Sequence, residues 1–379
     1  MENPMLPTYS DVRAYSVPSF SLRRTVVLSL LALGTAAIFA QAAPAPKKPA
    51  AKKPAPPAAK PVAKPKPKLI HEVLGNEQLV GYEGQLGQMY TVGKDTALNV
   101  TLKKAEYSVK RINIGNYSYL PSGDEKFLVL HFAVHNPLKR AVNFTSGYLL
   151  FKAVDGSGVT RNALTDMGRE VTNESVSYTL QPAQKVDVYA AVKVAAFGEV
   201  PKLIVQSRYD PEAPIVRYDL RGKVSKMAAP FGDESGVSSP RNIAGKVGVT
   251  YPVADSFDVR VDKVDYATGT LGGYEAEKGG RFAVAYVTIT NRAPRPARYS
   301  ASYFNAALKD SDGEKADYIA HLLKTSRDEE SGAELAPGEE AKARFFWRVP
   351  NTVTAQTILL RDGYEKEGRV YAVEVAPAE

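Results

Sequence analysis

Cysteine occurs nowhere in the 379 residues. Its absence excludes disulfides, thiolate metal sites, a cysteine nucleophile and the acylated cysteine of a lipoprotein. It also suits an oxidising compartment, where a stray thiol is a hazard. Histidine is scarce, at four residues. His71-Glu72 lacks the second histidine that a zinc-protease helix needs. His131 and His135 share one strand face but stand about 13 Å apart at ~3.3 Å per residue, too far to bind one metal. There is no G-x-S-x-G elbow and no phosphate-cradling glycine loop. The single tryptophan, Trp347, sits in an alternating apolar run and reads as core. These absences leave no catalytic set, cofactor or metal to assign, and a non-enzymatic chain is expected.

The formal charge of +8 would suggest an acidic partner if it were spread over a folded surface. It is not. Residues 1–42 carry +1, 43–68 carry +8, 69–225 carry +2 and 226–379 carry −3. The basic charge belongs to a tail, and nucleic acid is not an expected partner.

Arg23 and Arg24 precede an apolar run over residues 25–40, short and rich in small residues for a membrane span. Ala40-Gln41-Ala42 satisfies the small-x-small cleavage pattern, so residues 1–42 read as a secretory signal cleaved after Ala42, with an uncleaved anchor as the alternative. Residues 43–68 are almost wholly Ala, Pro and Lys, with eight lysines and no acidic residue. Such a segment favours disordered, extended polyproline II with a reach on the order of 80 Å at ~3.1 Å per residue. Its lysines either touch an anionic envelope weakly or only keep the spacer solvated and stretched. The expected location is bacterial and exported: periplasmic, cell-surface-associated or secreted, with no transmembrane helix after cleavage.

Beyond the spacer the chain repeats itself. The run from Lys126 to Asn136 aligns without a gap on Arg281 to Asn291, Asp155-Gly156 answers Asp312-Gly313, and Leu180-Gln181-Pro182 answers Leu335-Ala336-Pro337. Leu128, Leu130, Phe132 and Val134 share one strand face, as do Ala283, Ala285, Val287 and Ile289. Short alternating runs separated by Gly, Pro, Asn and Asp indicate an all-β chain of two tandem antiparallel sandwiches. The first is expected over 69–225, with its core in 90–225 and an added strand within 69–88. A linker follows at 226–246, and the second sandwich spans 247–379. Short helices are expected in 165–175 and 315–330.

The order of these signals resembles the bacterial and archaeal extracellular domain of unknown function with an immunoglobulin-like, telokin-like fold, as in a secreted mycobacterial immunoprotective antigen. The residues that carry the resemblance are Phe127 to Asn136, Asp155-Gly156 and Leu180-x-Pro182, then Phe282 to Asn291, Asp312-Gly313 and the turn from Leu335 to Glu339. The resemblance covers about 90–225 and 247–377. It implies a secreted, sandwich-built, non-enzymatic protein and no catalytic residues.

Two further patterns bear on a site. Asp310, Asp312 and Asp317 around Gly313 place oxygens at alternate positions, as at the start of a calcium loop, but the bidentate glutamate is missing and a hairpin turn explains Asp-Gly. Tyr107, Tyr117, Tyr119 and Tyr148 lie near strand ends and form a candidate recognition surface for glycan or protein. Sequons at Asn99, Asn116, Asn143 and Asn173 matter only in a host that glycosylates them. The expected role is binding or scaffolding in the envelope or outside the cell, with an unknown protein or envelope polymer as partner. The alternatives are an assembly protein without its own ligand and a carboxylate-based hydrolase.

Overall fold

A computed structural model describes residues 69–70, 81–316, 321–365 and 367–375. The signal, the Lys/Pro spacer, His71-Glu72 and Asp317 lie outside the described residues. In chain order the first strands are β1 (Leu69–Ile70), β2 (Gly81–Gly84), β3 (Met89–Val92), β4 (Leu98–Ser108), β5 (Ile112–Ile114), β6 (Tyr117–Tyr119), β7 (Glu125–His135), β8 (Val142–Thr145), β9 (Leu149–Val154), β10 (Thr160–Asn162), β11 (Gly168–Arg169), β12 (Ser177–Leu180), β13 (Lys185–Ala195), β14 (Lys202–Ser207) and β15 (Ile215–Asp219). The remainder are β16 (Asn242–Lys246), β17 (Thr250–Pro252), β18 (Phe257–Ala267), β19 (Thr270–Leu271), β20 (Tyr274–Glu275), β21 (Gly280–Asn291), β22 (Ala297–Tyr299), β23 (Phe304–Asp310), β24 (Lys315–Ala316), β25 (Leu323–Lys324), β26 (Ala333–Leu335), β27 (Glu340–Pro350), β28 (Ala355–Asp362) and β29 (Val370–Glu374). The fold is all-β. Neither expected helix forms among the described residues: 165–175 is turn and extended chain around β11, and 315–330 supplies β24 and β25.

The first sandwich packs the sheet β1-β2-β15-β14-β9-β10 against β11-β13-β7-β4-β3, and the second packs β16-β29-β28-β23-β24 against β17-β18-β21-β27-β25. Apart from β1 the two orders are identical, strand for strand. Almost all pairs are antiparallel. The departure is one parallel pair in each sandwich, β2 with β15 and β16 with β29. Parallel neighbours need a long return of the chain, and here almost the whole sandwich lies between the two paired strands. β16 also corrects the linker expected over 226–246, because Ile243 and Gly245 alternate inward and give residues 242–246 a strand's buried face.

β7 and β21 are central in their sheets and apolar on both faces, since each sheet is covered on both sides. Leu128, Leu130, Phe132 and Val134 enter the main core of the first sandwich, and Ala283, Ala285, Val287 and Ile289 that of the second. Phe127 and Val129 point the other way, into a small cluster with Ile114 and Tyr189 beneath the β5–β6 hairpin. Phe282 and Val284 do the same with Leu271 and Phe346 beneath β19–β20. β4 and β18 each carry a bulge, between Leu102 and Lys104 and between Val261 and Lys263. A bulge shifts the side-chain alternation by one residue, so the chain can bury Leu98, Val100 and Leu102 before it and Ala105 and Tyr107 after it. Trp347 is fully buried, with Nε1 donating to the Ala306 carbonyl at 3.3 Å.

The motifs that marked the sequence are turn locks. Asn136 donates from Nδ2 to the carbonyls of Arg140, Leu180 and Gln181, and its Oδ1 accepts the Leu138 amide. Asn291 repeats this with Arg295, Leu335 and Ala293. Buried Asp155 accepts the amides of Ser157 and Val159, and Asp310 those of Asp312 and Glu314. The structural counterpart of Asp155 is therefore Asp310, and that of Gly313 is Gly158, both glycines with positive φ. The pairing of Asp155-Gly156 with Asp312-Gly313 is off by two residues, because a dipeptide match does not see which carboxylate folds back on the turn.

The two sandwiches exchange arginines across their seam. Arg111 pairs with Asp258 and donates to the carbonyls of Ala254 (2.6 Å), Asp255 (2.8 Å) and Phe257 (3.0 Å). In return, buried Arg369 donates to the carbonyls of Glu125 (2.9 Å) and Pro121 (3.5 Å) and to Ser239 Oγ (3.3 Å). Burial pulls the Arg369 guanidinium down.

Candidate functional site

The β5–β6 hairpin turns through Gly115 and Asn116, with Gly115 at φ 56°. Glycine at the first central position fits a type II′ turn, whose twist matches a hairpin. The Gly115 amide donates to the Asn173 carbonyl at 2.8 Å, tying the turn to the loop between β11 and β12. Beneath them the Tyr189 hydroxyl lies 2.8 Å from the Asn113 carbonyl and 2.9 Å from Asn173 Oδ1, with one proton to donate between them. Burial pushes that hydroxyl up to about 12. Gly168 leaves room for this ring: a Cβ there would lie 2.4 Å from it.

Outside this anchor lies an open groove of about 1060 Å³. One side is the hairpin with Asn113, Asn116 and Tyr117; the far side is β12 with Ser177 to Thr179 and the start of β13 with Gln184 to Val186. Pro294 of the second sandwich also lines it, and Asn113 Nδ2 donates to the nearby Arg292 carbonyl at 2.8 Å. The lining is mostly uncharged amide and hydroxyl. Arg169 is paired with Glu174 at 2.9 Å, so two of the charges cancel within the wall. The Tyr178 hydroxyl is buried and meets no hydrogen-bond partner among the described residues. A phenol in that state is a donor left over, costing about 1–3 kcal/mol until something meets it.

The four tyrosines expected to form one surface are split. Tyr117 stands 57 % exposed on the groove lip, 6.3 Å ring to ring from Tyr119. Tyr119 is half-buried and donates to Asp166 Oδ2 at 3.2 Å; burial and that carboxylate push its hydroxyl up to about 12. Tyr107 and Tyr148 are buried and belong to the scaffold. The Tyr107 hydroxyl accepts the Val200 amide at 2.8 Å beneath the Lys126 ammonium, 4.4 Å from its ring centre. Tyr148 donates to the Thr96 carbonyl and packs on Phe144 and Tyr209. Strand-end position could not separate these pairs, since an inward and an outward tyrosine occupy adjacent register positions.

Residues 248–370 match a domain of unknown function, DUF4352. The match lies on the second sandwich, from just before β17 to the start of β29. No curated protein matches the chain. Among solved structures it is similar to an uncharacterized β-sandwich protein from Clostridium difficile 630, at 14% identity over 39% of this chain and 99% of that one, with TM-score 0.30. It is also similar to MPT63, a secreted protein from Mycobacterium tuberculosis, at 19% identity over 36% and 98%, with TM-score 0.27. The yjhA protein from Bacillus subtilis is similar at 17% identity over 35% and 99%, with TM-score 0.26.

Within the DUF4352 match the calcium-like pattern is a turn, since the Asp310 carboxylate accepts the Asp312 and Glu314 amides at 3.0 and 2.9 Å. No group of three or more His, Asp or Glu is placed to hold a metal among the described residues. His135 meets Asn99 Nδ2 at 3.3 Å, whereas His131 sits between Glu170 (2.7 Å) and Glu106 (3.2 Å), so the two histidines serve different partners. A carboxylate cluster does occur at the seam, where Asp255, Asp362 and Glu365 line a cavity of about 160 Å³. Burial pushes Asp362 up, and burial together with Asp362 pushes Glu365 up. Asp362 Oδ1 already accepts the amides of Tyr364 and Glu365 at 2.7 and 3.3 Å. The cavity is well below the ~300 Å³ at which ligand pockets begin. No helix among the described residues is long and apolar enough to cross a membrane.

Proposed function

We propose that this is an exported, non-enzymatic binding protein in which the paired sandwiches present the β5–β6 groove of the first to a polymer or protein of the envelope or its surroundings. The observation that carries this reading is the groove itself: about 1060 Å³, lined by uncharged hydrogen-bonding side chains, with a half-exposed tyrosine on a rigidly tied hairpin. Concave surfaces with convergent polar groups and an exposed aromatic anchor are where binding is expected. Export rests on the signal and Lys/Pro spacer read in the sequence, in keeping with the secreted neighbour. The spacer's lysines add reach and a weak, salt-screened attraction to anionic envelope.

Co-sedimentation of the protein with purified envelopes tests this. Binding that resists high salt and falls in Tyr117→Ala places recognition on the groove. Binding that vanishes in salt, is unchanged in Tyr117→Ala and disappears when the eight spacer lysines are replaced by glutamine assigns attachment to the tail and overturns the groove.

A further inference from the structure

Resting on the reading of the groove as a binding site, we infer that its ligand is a neutral polysaccharide, with one sugar ring seated on Tyr117. A sugar hydroxyl both donates and accepts, and it is met best by groups that do the same. Amides and hydroxyls have that property; carboxylates and guanidiniums do not. The groove presents Asn116, Asn173, Ser175, Thr179 and Gln184 in this role; Thr179 Oγ1 already donates to Asn143 Oδ1 at 2.7 Å and Gln184 Oε1 accepts the Gln181 amide at 2.8 Å, which leaves the hydroxyl oxygen of the first and the amide N–H groups of the second for a ligand. Asn173 is set in advance, at φ 56° with its Oδ1 2.9 Å from the Tyr189 hydroxyl and its carbonyl accepting the Gly115 amide. A polyanion finds little here. Arg169 is neutralised by Glu174, and Lys185 alone remains of the basic lining residues, whereas anion sites gather forked arginines.

Tyr117 supplies the apolar half of the recognition. A pyranose presents a face of C–H groups that packs on an aromatic ring, and this ring is 57 % exposed while its hairpin is fixed by the Gly115–Asn173 bond. Fixing the ring beforehand lowers the entropy lost on binding. The groove is also larger than most small-molecule pockets, ~300–1,000 Å³, and is open, which suits a run of sugars rather than a chain end. A peptide added along the β12 edge is the competing occupant. It would rely on backbone groups and leave the Asn116 and Tyr117 side chains with less to do.

Native electrophoresis in gels containing dextran, glucomannan or hydroxyethylcellulose, with polygalacturonate as the charged control, tests the ligand class. The expected result is retardation by at least one neutral polymer, indifferent to salt, weakened about tenfold in Tyr117→Ala. Asn116→Ala should weaken it as well, and Tyr117→Phe should retain it, with circular dichroism confirming that each variant folds. Retardation by polygalacturonate alone, or equal retardation of Tyr117→Ala, overturns the inference. Envelope sedimentation separates it from the broader reading. If sedimentation depends on Tyr117, no neutral polymer retards the protein, and protease treatment of the envelopes abolishes binding, the groove binds protein and the polysaccharide falls. If neither assay depends on Tyr117, both readings fall.

Discussion

The two sandwiches share their topology and their locks but differ at one place, and the difference separates scaffold from candidate function. Tyr90 and Tyr251 open equivalent strands and meet equivalent rings, Tyr218 at 6.1 Å and Tyr371 at 5.0 Å. Tyr107 and Tyr266 accept equivalent amides, from Val200 and Ala355, each at 2.8 Å and each under a cation, Lys126 or Arg281. What recurs is holding the fold. The hairpin aromatic does not recur in the same role. Tyr274 of β20 is folded down on Phe346 and His321, with its hydroxyl 2.7 Å from His321 Nε2, whereas Tyr117 of β6 stands clear at the groove lip. One copy uses the hairpin tyrosine as a lid on its own cluster, and the other leaves it exposed.

The largest effect is expected at the seam, where the copies stop being equivalent because each gives the other one arginine. Arg111→Ala leaves Asp258 half-buried with only Arg292 at 3.4 Å and takes the side-chain donor from the Asp255 carbonyl, while the Ala254 and Phe257 carbonyls keep backbone donors. Breaking such a pair costs about 3–5 kcal/mol. Calorimetry should show the melting of the whole protein split into two transitions or fall sharply. An unaltered single transition would mean that the sandwiches do not stabilise one another through Arg111.

The asparagine locks should behave alike. Asn136→Ala and Asn291→Ala each strand several backbone groups at about 1–3 kcal/mol apiece for those that stay buried, so each should lower stability by roughly 2–4 kcal/mol. Urea denaturation measures both. Loss in one variant and none in the other would break the equivalence of the copies.

These two asparagines were legible in the sequence, as were the central strands, because β7 and β21 are long, periodic and end on the same turn chemistry. The all-β class followed from that alternation. The groove was not legible. Its walls come from residues 113–117, 169–179, 184–186 and Pro294, four separated segments that carry no shared period, and a hairpin tip and a loop are brought together by the Gly115–Asn173 bond and the Tyr189 hydroxyl lying between them. Tyr117 was singled out, but Tyr107 and Tyr148 were singled out with it, since composition does not report which side of a strand a ring takes. Residues 242–246 were read as linker because Asn, Gly and Lys mask a strand whose buried positions are only Ile243 and Gly245.

The cation over the core tyrosine sharpens the comparison through pH. Lys126 is fully buried and donates to the carbonyls of Ala196, Gly198 and Val237; burial pulls its ammonium from 10.5 down to about 8. Between pH 8 and 10.5 the unfolded chain then binds more protons than the folded one, so this residue makes stability rise with pH, by up to about 1.4 kcal/mol per unit. Below pH 8 both states are protonated and the slope vanishes. Wild-type stability should gain about 1–2 kcal/mol relative to Lys126→Met between pH 8 and 9.5. No differential slope would mean that Lys126 keeps its proton, with the three carbonyls outweighing the loss of solvent. Arg281 holds the same place in the second copy, 3.7 Å from the ring centre of Tyr266.

The smallest effect tests one turn position at which the copies differ by a single methyl group. Ala183 and Gly338 both follow the proline, both donate their amides to the carbonyl of the strand-ending asparagine, and both take positive φ, 61° and 78°. An L-residue in that region brings Cβ too close to the following carbonyl, a strain of roughly 1–2 kcal/mol. Glycine avoids the strain but gives the unfolded chain more freedom, which returns about 0.4–1 kcal/mol. Ala183→Gly should therefore stabilise the first sandwich by about 0.5–1 kcal/mol, and Gly338→Ala should destabilise the second by a similar amount. A Cβ at Gly338 meets nothing within 4 Å, so no collision would contribute and the backbone alone decides the sign. Denaturation midpoints for the two reciprocal variants measure this, and shifts of the same sign would show that the turns are not strained alike.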